Sequence, residues 1–145
     1  GQQLLNHGIA LVRDLGRELP KVMGDPNQLE QVFLNLISNA RDAIDDAAGR
    51  KKELTIRSGF LDDGGTPSVV VTVKDTGIGI PPENLTKIFE PFFSTKPVGK
   101  GTGLGLSLCF GIVEAHGGRI DIKSKVGDGT EISVILPARE SGKEP

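Results

Sequence analysis

One apolar stripe along residues 29–44 constrains this chain more than any other feature. Leu29, Val32, Phe33, Leu36, Ile37, Ala40 and Ile44 recur at helical spacing and share one face. That face is about five turns long and predicts a helix that runs to near Gly49. Asp25 is placed to cap it, Pro26 suits the first turn, and Gln28 stands where the return partner of a capping box belongs. A helix with one long apolar face must lie on an apolar surface to be stable.

The rest of the chain supplies that surface in residues that alternate. Leu54 and Ile56 suggest a strand, residues 62–67 a Gly/Pro turn, and Val69, Val71 and Val73 one face of a second strand, with Thr72 and Lys74 on the other. That strand ends at Asp75. Residues 83–89 read as a short helix and 91–102 as an aperiodic, mobile loop. Leu104, Leu108, Ile112 and Val113 mark a helix stopped by Gly117 and Gly118. Ile120 and Ile122, then Ile132, Val134 and Leu136, predict two strands joined as a hairpin by a turn over 126–129. Residues 9–15 suit a short edge strand. The sum is an α+β domain, a sheet with helices laid on one face.

With 145 residues, the chain fits one domain. Its formal net charge of -2 gives no basis for a nucleic-acid surface. The single cysteine, Cys109, excludes an internal disulfide and reads as core. No apolar run approaches the ~20 residues of a membrane span, so no direct membrane contact is expected.

Asn35 and Asn39 stand four apart and share a helix face. A carboxamide oxygen suits Mg2+, which takes hard oxygen ligands beside waters and phosphates. Two asparagines on a solvated face are the plainer alternative. The run Asp75-Thr76-Gly77-Ile78-Gly79-Ile80 sets a carboxylate at a strand end before two glycines. The carboxylate can accept a hydrogen bond from a ligand amino group, and the glycines let backbone approach a flat ring. An ordinary Asp-x-Gly turn is the alternative.

Alternating glycines from Gly99 to Gly105 open a helix, where exposed N–H groups and the positive dipole end make a phosphate site. The spacing is neither that of a Walker loop nor that of a Rossmann fingerprint. Lys96 and Lys100 flank or enter this loop, either to neutralise phosphate or simply to solubilise it. Phe89, Phe92 and Phe93 read as core anchors that tether its start. Gly127 and Gly129 shape a turn. Thr130 can reach the ligand edge that Asp75 reads, directly or through water, or is an ordinary β-branched strand residue. His116 reads as a C-cap or packing histidine. His7 has no adjacent acid and does not read as a phosphoacceptor. Two histidines and one cysteine argue against a zinc site.

In their order these groups resemble the catalytic and ATP-binding domain of sensor histidine kinases, within the superfamily that includes the Hsp90 and MutL types. Asn35-Leu36-Ile37-Ser38-Asn39-Ala40 is similar to the N box, in its nitrogen-regulation form. Residues 75–80 are similar to the G1 box, Phe89-Glu90-Pro91-Phe92-Phe93 to the F box, 100–107 to the G2 box and 127–130 to the last glycine motif. The resemblance spans roughly residues 9–137 and implies a two-layer α/β sandwich of the Bergerat type. That fold has a mixed sheet of about five strands and about three main helices.

It also implies ATP and Mg2+ as ligands. Asp75 would hydrogen-bond the adenine amino group with Thr130 in support, beside Gly77, Gly79 and Ile80. Asn39, with Asn35, would face Mg2+ and the phosphates. Lys96, Lys100, Gly101, Thr102, Gly103, Leu104, Gly105 and Leu106 would close on the nucleotide. Asn35, Asn39 and Lys100 would serve the transfer itself. The γ-phosphoryl would pass to a histidine on a dimerisation domain of the same protein, then to an aspartate of a response-regulator receiver domain.

No such histidine helix is recognisable in residues 1–145. The chain is therefore expected to be a monomeric catalytic domain of a homodimeric parent, cytoplasmic even if that parent is membrane-anchored. Alone, it is expected to bind nucleotide without autophosphorylating. Two departures bear on mechanism. Asp42 stands where relatives often carry a cation, leaving Lys100, Lys96 or Arg41 to replace it. Asn35 stands where the ATPase types carry a water-activating Glu, and an amide is no general base. An ATPase of the Hsp90 or MutL type and a nucleotide-free scaffold are the competing readings.

Overall fold

The computed structural model describes residues 9–15, 24–45, 47, 51–85 and 105–138. Strand β1 (Ala10–Leu15) precedes the long helix α1 (Pro26–Asp45), and strands β2 (Glu53–Asp63) and β3 (Thr66–Asp75) follow. After a single turn of helix, α2 (Pro82–Leu85), come helix α3 (Gly105–Ala115) and strands β4 (Arg119–Lys125) and β5 (Gly129–Pro137). The strands form one five-stranded sheet in the order β1-β2-β3-β5-β4. β1 lies at one edge, parallel to β2, and every other pairing is antiparallel. The sheet is therefore mixed, and β4 and β5 form the expected C-terminal hairpin.

Helices α1 and α3 cover one face of this sheet. Val32, Leu36, Ala40 and Ile44 of α1 meet Cys109, Ile112 and Val113 of α3 over Leu54, Val73, Ile132, Val134 and Leu136 from the strands. Burying each larger aliphatic side chain stabilises the fold by about 1.5–3 kcal/mol. Two expectations about the helices change. Leu108 is 43% exposed, because α3 is apolar nearly all round and it is Cys109, Ile112 and Val113 that turn inward. The described part of α1 ends at Asp45 rather than near Gly49. Among the described residues no helix is long and apolar enough to cross a membrane.

The helix start also differs from the expected capping box. Asp25 Oδ1 accepts from the N–H groups of Asn27 (2.9 Å) and Gln28 (3.4 Å), as an N-cap should. The return bond comes from elsewhere: the Asp25 N–H donates to His116 Nε2 at 3.0 Å. His116 Nδ1 lies 2.7 Å from the Ile112 carbonyl, so the ring donates there through Nδ1 and accepts through Nε2. This histidine ties the end of α3 to the start of α1.

The turn between β2 and β3 is tighter than residues 62–67. Gly64 and Gly65 alone make it, with φ of 62° and 93°, the left-handed pair that a two-residue hairpin needs. Pro67 is already in β3, opposite Asp62, and its carbonyl accepts the Ala138 N–H at 2.8 Å.

Candidate functional site

The alternation that turns Val73, Ile132 and Ile122 toward the helices also turns Asp75, Thr130 and Ser124 that way, two residues along each strand. Asp75 pairs with Thr130, and Thr130 with Ser124. Three polar side chains thus form one row across β3, β5 and β4 on an otherwise apolar face. Asp75 is 5% exposed. Its Oδ1 accepts the Gly77 N–H at 2.8 Å and the Thr130 N–H at 3.3 Å. Its Oδ2 has no hydrogen bond to any described residue, which leaves an acceptor for an incoming donor. Burial pushes the carboxyl up from 3.8 to about 6, against the opposing pull of the Gly77 and Thr130 amides.

The segment after Asp75 is locked on two sides. Thr76 Oγ1 donates to the Lys51 carbonyl (2.6 Å) and accepts the Glu53 N–H (3.0 Å). The Ile78 N–H donates to the Ala43 carbonyl at 3.2 Å, and the Gly127 N–H to the Ile78 carbonyl at 3.1 Å. The sequence suggests that Gly77 and Gly79 make room for a flat ring. In the structure the room is already taken by the protein. A Cβ on Gly77 would lie 2.6–2.7 Å from Ala43 of α1, and one on Gly79 would meet the Lys125 carbonyl. These glycines let the Asp75 segment seat between α1 and the β4–β5 hairpin. Ile80 joins the same knot, its N–H donating to Ser124 Oγ at 2.7 Å.

From Ala43, α1 leads away toward Asn39 and Asn35. At 1.5 Å per residue they lie about 6 and about 12 Å further along the axis. One helix thus runs from the carboxylate toward the asparagines. Asn39 is half-buried. The Asn35 side chain lies beside the Cys109 thiol of α3, which donates to the Val32 carbonyl at 3.6 Å. Burial pushes that thiol up, and the neighbouring Asn35 amide opposes the rise. Arg41 lies along α1, with Nη2 3.3 Å from Ser38 Oγ and 3.4 Å from Asp42 Oδ1.

Among the described residues no three His, Cys, Asp or Glu side chains cluster as a metal site. The carboxamides of Asn35 and Asn39 on α1 are neutral oxygen donors of a kind Mg2+ takes. That fits Mg2+ held chiefly by phosphates and water, with one neutral ligand from the chain.

Residues 24–140 match the family model described as the histidine kinase-, DNA gyrase B-, and HSP90-like ATPase. The chain belongs to that family.

Within this ATPase family it is similar to several kinases. It is 44% identical over 146 aligned positions to the sensor kinase CckA of Brucella abortus, an alignment that covers 93% of this chain and 15% of CckA. It is 43% identical over 119 positions to the sensor histidine kinase ZraS of Salmonella typhi, covering 82% of this chain and 24% of ZraS. The chain therefore spans a quarter or less of these relatives. Full-length ShkA in complex with AMPPNP superposes with a TM-score of 0.80 at 27% identity, over 97% of this chain and 28% of that one. The catalytic domain of histidine kinase ThkA gives 0.76 at 33% identity, over 94% and 85%. As in these kinases, the fold is that of an ATP-binding catalytic domain.

Of the residues that the motifs single out, Asp75, Gly77, Gly79, Ile80 and Thr130 come together at one end of the sheet. Asn35 and Asn39 line up on α1. Gly105 begins α3, and Leu106 packs partly against the core. Lys96, Lys100, Gly101, Thr102, Gly103 and Leu104 lie outside the described residues, as do Phe89, Phe92 and Phe93. Ser124 was missed. A signal existed, since Ser124 follows Ile120 and Ile122 at the next inward position of its strand.

Proposed function

We propose that this chain is the ATP-binding catalytic domain of a two-component sensor histidine kinase and that Asp75 reads the adenine. The observation that carries this is the buried Asp75 carboxylate. One oxygen is held by two backbone amides and the other takes no hydrogen bond from any described residue, on rigid strand scaffold. That second oxygen accepts the exocyclic amino group, and Thr130 contacts the neighbouring ring atom directly or through water. Gly77, Gly79 and Ile80 form the wall of this pocket through their backbone.

The asparagines of α1 serve the other end of the nucleotide. Asn39, helped by Asn35, holds Mg2+ beside the phosphates, where the cation supplies charge neutralisation. Lys96, Lys100 and the glycine segment 101–105, with Leu106, complete the phosphate end. Transfer breaks the bond between the γ-phosphorus and the ADP oxygen and forms one to an imidazole nitrogen of a dimerisation domain, whose proton leaves. A receiver-domain aspartate then takes the phosphoryl group. The chain's own contribution is positioning and charge. An amide at Asn35 gives water no base, and this supports a kinase over a hydrolytic ATPase.

Calorimetric titration with ATP and Mg2+, followed by a phosphohistidine assay with a separately made dimerisation domain, tests the reading. Micromolar to sub-millimolar binding, weakened by Asp75→Asn, and transfer to the added histidine are expected. No binding at millimolar nucleotide overturns it. Steady-state hydrolysis lost on Asn39→Ala would indicate the ATPase reading instead.

A further inference from the structure

The contact between Gly77 and Ala43 joins the two ends of the proposed nucleotide site. A Cβ on Gly77 would stand 2.6 Å from the Ala43 carbonyl carbon and 2.7 Å from its Cβ and its oxygen. The backbone does not demand the glycine, because φ at Gly77 lies outside the left-handed region that Gly79 occupies. The neighbour alone demands it. Beside this contact the Ile78 N–H donates to the Ala43 carbonyl at 3.2 Å. That carbonyl is left over by its own helix, since the Ala47 N–H donates to Ile44 instead. The Gly77 N–H in turn holds Asp75 Oδ1 at 2.8 Å. Asn39 stands one turn before Ala43 on the same face of α1. A short run of contacts, from Asp75 through Gly77 to Ala43, therefore links the carboxylate to the helix that carries the asparagine.

We propose that Ala43 is a positioning residue that sets the span between the base and the phosphates. This rests on the reading of Asp75 as the adenine contact and Asn39 as the Mg2+ ligand. The base end belongs to the sheet. Thr76 Oγ1 is bonded to the Lys51 carbonyl and the Glu53 N–H, and the Thr130 N–H of β5 holds the same Asp75 oxygen as Gly77. The Mg2+ end belongs to α1. One nucleotide must meet both ends at once, so sheet and helix have to keep a fixed separation. Ala43 is small enough for helix backbone to touch Gly77, and touching backbone leaves no slack. A larger residue on either side pushes the end of α1 away from the Asp75 segment, since a closely packed interior does not absorb the added volume. Asp75 then stays with Thr76 and Thr130 while Asn39 moves. A nucleoside binds as before, and the phosphates with Mg2+ add less.

The test compares adenosine, titrated by nuclear magnetic resonance, with ATP and Mg2+, titrated by calorimetry. Both are run on the unaltered chain and on Gly77→Ala, Ala43→Val, Ala43→Ser and Ala43→Gly. The quantity read is the gain, the affinity for ATP with Mg2+ divided by that for adenosine. Gly77→Ala and Ala43→Val should each lower the gain about tenfold, the scale of overpacking by one or two methyl groups, and change adenosine affinity less than about twofold. Ala43→Ser, of nearly the same size, should keep the gain. Where the enlarged variants do not fold, Ala43→Gly, which withdraws the methyl group and loosens the contact, should lower the gain by a smaller factor. A gain that stays unchanged in the variants that fold, or an equal loss of adenosine and ATP, would overturn the proposal and leave Ala43 a packing residue. A gain lost as fully in Ala43→Ser would overturn it too. Asp75→Asn and Asn39→Ala check the reading beneath it. Unchanged adenosine affinity in the first, or an unchanged gain in the second, would overturn that reading instead.

Discussion

Asp75→Asn is expected to raise the stability of the unliganded domain at neutral pH and to weaken its hold on ATP. The carboxyl is 5% exposed, so solvent screens little of its charge, and burial raises it from 3.8 to about 6. A raised carboxyl binds its proton more tightly folded than unfolded. Between these two values the folded state therefore holds more protons, and stability falls as pH rises. At about 1.36 kcal/mol per pH unit, the ionised carboxylate costs about 3 kcal/mol above pH 7, about 2 near pH 5.5 and well under 1 near pH 4. Asparagine removes the charge and keeps an oxygen for the Gly77 amide.

Urea unfolding at those three pH values, followed by circular dichroism, should therefore show the variant gaining on the parent as pH rises and levelling off above about pH 7. Saturating ATP should reverse the order, since only the parent gains much from ligand. A stability difference that does not change with pH, or a parent that equals the variant at pH 7.5, would refute the reasoning.

Gly129→Ala should destabilise by about 2 kcal/mol or more, because φ there is 124° and a Cβ would strike the Asp75 carbonyl; a thermal melt reads this. His116→Ala should lower stability by about 1–2 kcal/mol through the orphaned Asp25 N–H, with ATP affinity in calorimetry unchanged. Asn39→Ala should weaken ATP with Mg2+ about tenfold but ATP in EDTA far less, which paired titrations resolve. ATP affinity should fall as pH drops through about 6, where Asp75 takes up its proton, and Asp75→Asn should abolish that part of the dependence.

Much of this arrangement is legible before folding because period and punctuation agree. Valines at alternate positions deliver Asp75 to a strand end, and the stripe from Leu29 to Ile44 places Asn35 and Asn39 beside a buried face. What was not legible depends on contacts distant in sequence. Gln28 fits the capping box locally, yet His116 from 91 residues away takes the Asp25 N–H. Gly77 and Gly79 look like space for a ligand and are space for Ala43 and Lys125. Leu108 belongs to a helix so apolar that its own pattern does not choose a face. The alternation of Ile120 and Ile122 puts Ser124 on the inward face, but only the pairing with β5 shows that it meets Thr130.

If Asp75 and Thr130 read the base as proposed, their row with Ser124 ties that recognition to strand alignment. Side chains in a strand point alternately to opposite faces, so an offset of one residue between β3 and β5 would carry Asp75 to the far side of the sheet. A misaligned chain would keep its asparagines and glycine loops but could not select a base. Cellular nucleotide would then act as a proofreader of folding, stabilising only the molecules whose three strands had met in step.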